Sequence, residues 1–225
     1  MKKLLEDYPA IPYIAPFALF LLVLGLKGVL PFGPKWTYVI QVVLVSTLIL
    51  IVSRREIAWT SQRPASAVLV GLLVFVVWIG PDLLWAGYRQ HWLFENSLMG
   101  KAESSLPVDL RTDMMFLIFR MIGTAIVVPI VEELFWRGWL MRYLVNSEFT
   151  KVPLGTYSAL AMWASAALFA TEHGPYWEVG LLAGLIYNWW MVRTRNLTDC
   201  MIAHGVTNAA LGAYVIYGGR WEYWL

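Results

Sequence analysis

Seven long apolar stretches separated by shorter polar connections decide what this chain can fold into; they run over residues 11–30, 36–52, 66–79, 113–134, 154–171, 177–192 and 197–217. About 17 to 25 apolar residues carry a helix across a hydrocarbon core, where only backbones that close their hydrogen bonds internally persist. The expectation is an all-α, polytopic membrane helix bundle with about seven transmembrane helices. The third stretch is short, so a tilted or partly interfacial helix is expected there. With 59% hydrophobic and 14% charged residues, the chain lies outside the range of ordinary soluble domains.

The formal net charge of +2, with no dense Lys/Arg run, gives no reason to expect a nucleic-acid partner. If the N-terminus is cytoplasmic, nine Lys and Arg fall on inner segments, from Lys2 and Lys3 to Arg193 and Arg195, against five on outer ones. That asymmetry favours the N-terminus inside; a bacterial inner membrane is what the family resemblance given below implies. Lys2 and Lys3 precede the first stretch as they would in a signal peptide, but no small-residue cleavage pattern follows, so it reads as a retained span. Cys200 is the single cysteine, which excludes an internal disulfide and a cysteine-based metal cage. Thirteen Trp and eleven Tyr suit interfacial anchoring. We read 1–225 as one membrane domain, with 1–87 as scaffold helices, 88–112 as a polar loop and 113–217 carrying the candidate chemistry.

Ionisable groups inside such stretches cost roughly 3 kcal/mol each on insertion scales, so they normally pair within the bundle and mark a working site. Glu132 and Glu133, followed by Arg137, are the clearest case. Glu133 and Arg137 are four residues apart and share a helical face, whereas Glu132 points about 100° away. The spacing predicts that Arg137 grips Glu133 through two parallel bonds and fixes the architecture. Glu132 has no such arginine, and we assign it the role of general base. Pro129, three residues earlier, predicts a kink, and Asp113 with Thr112 should cap the start of the helix.

Two further clusters lie on other stretches. His204 and Asn208, four residues apart, project together and form a plausible oxyanion clamp, although polar glue between helices would use the same pair. Phe169 and His173 are one turn apart near the end of the fifth stretch, where His173 would orient water beside Glu132. Glu172 and Glu178 are expected to be solvated at segment ends, and Asn188 is expected to make a structural hydrogen bond.

Glu132-Glu133-Leu134-Phe135-Trp136-Arg137, Phe169 to His173, and His204 to Asn208 resemble, in order and spacing, the three motifs of the CAAX-type prenyl protease and bacteriocin-processing family. The resemblance covers roughly residues 114–211; length and Trp content resemble a bacterial branch associated with exosortase-type sorting. It implies an intramembrane endopeptidase, glutamyl or metallo in type, acting on a membrane-associated or lipidated protein or peptide. It implies Glu132, His173, His204 and Asn208 as catalytic residues, with Glu133, Arg137 and Phe169 supporting the site. Glu132, His173 and His204 would be the ligands if a divalent metal such as zinc takes part. A non-catalytic membrane scaffold or immunity protein of the same fold is the alternative, and a proton relay or small transporter is a third reading. One obstacle stands in the register: at 1.5 Å per residue, His204 lies about 10 Å into its stretch and His173 about 28 Å along its own. The two imidazoles meet only if the intervening helices project, tilt or break.

Overall fold

The computed structural model describes residues 2–224, which contain eight helices and no β-strand. After a short N-terminal helix, α1 (Lys2–Asp7), come α2 (Ile11–Leu26), α3 (Pro34–Ser53), α4 (Pro64–Leu84), α5 (Met114–Tyr143), α6 (Ala159–Thr171), α7 (Trp177–Thr194) and α8 (Leu197–Gly218). By length and composition α3, α4, α5 and α8 can each cross a membrane, whereas α2 and α6 are apolar but shorter. Their outward faces carry Leu44, Leu50, Leu69, Leu73, Ile118 and Ile126, all exposed. Exposed aliphatic rows are what a helix surrounded by lipid requires. Inward, Val45, Val74, Val131, Leu134, Val179 and Val215 are sealed.

Helix α8 is central. It packs along α4 and against α5, while α6 and α7 form a hairpin beside it. Close approach needs small residues at the crossings: a methyl group on Gly71 would overlap Ala203 O, and one on Gly205 would sit 2.7 Å from Ala125 O.

Three expected boundaries move. The third stretch is not short, because α4 spans 21 residues and continues through Pro81. The helix expected to end at Leu134 runs on to Tyr143, because Glu133 and Arg137 satisfy one another inside it. The helix expected from Leu154 begins at Ala159, after a turn in which Gly155 has φ +71° and with Ser158 Oγ accepting from Ala161 N. Asp113 caps α5 by accepting from Phe116 N at 3.0 Å, as expected, but Thr112 does not join it and bonds Asp109 O instead. Around Pro129 the chain widens rather than simply breaking: 123–127 and 134–140 are π-helical stretches flanking Val128–Glu133. Such widened turns often lie at functional sites in helices.

The long loop after α4 closes one end of the bundle. Arg89 Nε donates to Asp82 Oδ1 at 2.9 Å, and its Nη1 reaches Pro175 O at 2.8 Å and Glu178 Oε1 at 2.6 Å. Glu178 is therefore ion-paired and largely buried, not the solvated end residue that its position suggested. Tyr223 OH adds a bond to Asp82 Oδ2 at 2.7 Å, tying down the segment after α8 at the same end.

Candidate active site

Helix α5 presents two carboxylates to two different environments because consecutive residues diverge by about 100°. Glu133 is completely buried and receives Arg137 Nη1 at 3.0 Å. The expected two-bond grip is not formed: only Glu133 Oε1 is engaged. The remaining guanidinium donors go to α7, with Nε on Asn188 Oδ1 at 2.9 Å and Nη2 on Gly184 O at 3.2 Å. Asn188 Nδ2 in turn reaches Ser165 Oγ and Met162 O on α6, each at 2.8 Å. Arg137 thus ties α5 to α7 directly and to α6 through Asn188, with Phe169 beneath it at 4.9 Å from the ring centroid.

Glu133 Oε1 has a second partner that the spacing did not reveal. His204 Nδ1 lies 2.9 Å from it, reaching across from α8. Beside an oxygen already bonded to arginine, Nδ1 is the donor, which leaves Nε2 facing Glu132 Oε2 at 3.9 Å. That oxygen has no hydrogen-bond partner although it is buried. Tyr187 stacks on the His204 ring at 5.0 Å, and its hydroxyl donates to Thr207 Oγ1 at 2.7 Å.

At the end of α6, His173 Nδ1 lies 2.8 Å from Phe169 O, an acceptor only, so Nδ1–H is donated and Nε2 is free to accept. Phe169 packs on the same ring at 4.7 Å and Trp78 approaches it edge-on at 5.0 Å. Asn208 gives one amide hydrogen to Thr124 O at 2.8 Å. The other hydrogen and Oδ1 remain available.

Glu132, His173, His204 and Asn208 all line one cavity of about 240 Å³. The register obstacle disappears because α6 starts five residues later than expected and ends at Thr171, so His173 lies just beyond a 13-residue helix. Trp78, Tyr187, Tyr223 and Trp224 complete walls that the motifs did not point to. Tyr187-Asn188, a polar pair in the middle of an apolar helix, was the available signal for α7. Nothing in the sequence marked Trp78 or Trp224. Glu172, at the end of α6, is exposed, whereas Glu133, Arg137 and Asn188 stand behind the cavity rather than on it.

Residues 114–210 match the family model described as Type II CAAX prenyl endopeptidase Rce1-like. That segment is similar to the Rce1-like family. It spans every element that supplies a charged or imidazole group to the cavity, from the start of α5 to Asn208 and beyond. No curated protein and no solved structure gives a significant match. Among the described residues no three His, Cys, Asp or Glu side chains are grouped so as to hold a metal ion. Glu132 and the two imidazoles line the same cavity, each imidazole held through Nδ1 by a protein acceptor.

Proposed function

We propose that this protein is a membrane-embedded endopeptidase that hydrolyses a peptide bond of a membrane-associated protein with water activated by Glu132. The observation that carries the reading is the shared cavity: an unpaired carboxylate, two Nε2 atoms and one free amide hydrogen converge there, backed by a buried charged cluster. Water held between Glu132 and His173 Nε2 gives its proton to Glu132 as its oxygen attacks the scissile carbonyl. The oxyanion takes hydrogen bonds from Asn208 Nδ2 and from His204 Nε2 when that atom carries a proton; Glu133 behind Nδ1 compensates that imidazolium. Glu132 then returns the proton to the leaving nitrogen. No acyl-enzyme forms, and no step is routed through a metal.

The test compares peptides released from membranes of cells carrying the normal protein or Glu132→Gln. Products present only with the normal protein are expected, and they identify the substrate. Identical peptide profiles, with Glu132→Gln folded and equally abundant, would overturn the assignment in favour of a non-catalytic membrane scaffold.

A further inference from the structure

His173 stands on a corner between two helices rather than inside one. Helix α6 ends at Thr171 and α7 starts at Trp177, so His173, with φ −102° and ψ 5°, takes its place from the turn that joins them. Gly174 adopts φ +50°, and Tyr176 N donates to His173 O at 2.9 Å. Pro175 and Tyr176 are buried. Arg89, from the loop after α4, grips this corner and the start of α7. Its Nη1 donates to Pro175 O at 2.8 Å and pairs with Glu178 at 2.6 Å, while its Nε fastens the same guanidinium to Asp82 at the end of α4. The guanidinium also lies 4.3 Å from the centroid of the Tyr176 ring. Tyr176 stacks on Trp78 at 6.3 Å, and Trp78 meets the His173 ring edge-on at 5.0 Å. Trp78 and Asp82 are four residues apart and share a face of α4. Arg89 therefore fixes both the backbone that carries His173 and the ring that backs it.

Resting on the endopeptidase reading, we propose that Arg89 is a positioning residue for the hydrolysis, setting the His173 imidazole so that its Nε2 faces the water beside Glu132. Trp78, Asp82 and Arg89 all lie outside the matched residues 114–210. The task needs a guanidinium and not merely a positive charge. A planar fork with five donors reaches a carbonyl and two carboxylates together while lying on an aromatic ring, which a single ammonium does not. The Arg89 side chain is only 11% exposed, so water and salt screen these contacts little. Displacing a positioned group by about 1 Å lowers a rate on the order of 100-fold, which makes the anchoring of a corner residue consequential.

The experiment reads the imidazole itself. The chain has three histidines, so nitrogen NMR of the full-length protein with isotope-labelled histidine, in detergent micelles, resolves three ring pairs, assigned by their loss in His91→Gln and His173→Gln. In the normal protein His173 is expected as one tautomer, protonated at Nδ1. Arg89→Gln should turn that signal into an average of both tautomers while the His204 signals stay unchanged. Arg89→Lys, which keeps a cation between Asp82 and Glu178 and guards against a variant that fails to fold, should give an intermediate spectrum. Asp199→Ala, which removes buried hydrogen bonds at the start of α8, should leave His173 as in the normal protein. With the peptide identified by the Glu132→Gln comparison as substrate, Arg89→Gln should lower kcat about 10- to 100-fold and change KM less than about twofold. An unchanged His173 tautomer in Arg89→Gln would overturn the proposal whatever happens to kcat. The same spectral change in Asp199→Ala would also overturn it, by reducing Arg89 to a contributor to stability. Glu132-dependent cleavage with normal kcat in Arg89→Gln would defeat the positioning role alone, whereas the tautomer change without any Glu132-dependent cleavage would defeat the endopeptidase reading.

Discussion

Glu133→Gln should destabilise the protein far more than Glu132→Gln, although the two residues are adjacent. Glu133 and Arg137 are completely buried and 3.0 Å apart. At that distance and an effective dielectric near 20, their attraction is about 5.5 kcal/mol. Glutamine keeps the shape and an acceptor oxygen but leaves the Arg137 charge facing only neutral partners, Asn188 Oδ1 and Gly184 O. Breaking one side of a buried pair costs roughly 3–5 kcal/mol. Glu132 has no arginine or lysine paired with it, only the His204 ring 3.9 Å away, and an oxygen without a hydrogen-bond partner, so its replacement strands no buried cation, with an expected loss below about 1 kcal/mol. Unfolding in mixed micelles with increasing dodecyl sulfate, followed by tryptophan fluorescence, gives both values. The double variant Glu133→Leu, Arg137→Leu should fall well short of the sum of its single variants, since neither charge is then left alone. Equal losses for Glu132→Gln and Glu133→Gln, or a loss below about 1 kcal/mol for Glu133→Gln, would refute the division of the pair.

Gly205→Ala should cost about 1–3 kcal/mol in the same assay, because its methyl group meets backbone at Ala125 O, whereas Gly80→Ala, which meets nothing within 4 Å, should be neutral. Asp199 is buried, and its Oδ1 accepts from Ser61 Oγ, Gln62 N and Arg63 N, so Asp199→Ala should cost about 1–3 kcal/mol while Asp199→Asn keeps most of the stability. The Lys35 ammonium beside Asp113, with the Phe116 N–H, holds the Asp113 carboxyl below the usual carboxylate range. Its stabilising contribution is therefore complete above the unfolded value of about 4 and is lost as the pH falls through the lower folded value. Thermal unfolding between about pH 2 and 6 should show a smaller acid-dependent decline for Asp113→Asn than for the normal protein.

The helical elements were legible because apolar runs of this length admit little else, and Asp113 marked the start of α5. Boundaries were less legible wherever a residue that ordinarily stops a helix is tolerated. Pro81 lies inside α4, and the reading stopped short of it at Ile79. The polar Glu133 and Arg137 ended the apparent apolar run of α5 at Leu134, yet they are neutralised in place. Hydropathy alone starts α6 at Leu154, but the turn at Gly155 and the Ser158 cap delay it to Ala159. Those few residues matter most, since they set where His173 lies relative to His204. That Glu132, His173 and the His204–Asn208 pair come from three different apolar stretches was readable from motif spacing, but the cavity they share depends on packing angles. So does the contribution of Trp78, which comes from a helix with no polar group at that position to attract notice.

His204 explains why adjacent glutamates are useful. A single glutamate on α5 could either fix an imidazole or face the cavity beside it, since a side chain leaves the helix in one direction. Two consecutive ones straddle the ring: Glu133 meets Nδ1 at 2.9 Å and Glu132 stands 3.9 Å from Nε2. Arg137 decides which is which. By binding Glu133 it keeps an acceptor fixed behind Nδ1, and through Gly184 directly and Asn188 in turn it fixes that carboxylate relative to α7 and α6. Orientation of the imidazole, not only helix pairing, therefore depends on Arg137. It follows that Arg137→Lys, which keeps the charge but cannot reach Glu133, Asn188 and Gly184 together, should impair the site even if the fold survives. Under the proposed mechanism that variant lowers kcat for the substrate found by the peptide comparison, with a smaller change in KM. A variant with normal kcat would show that His204 does not rely on the arginine for its position.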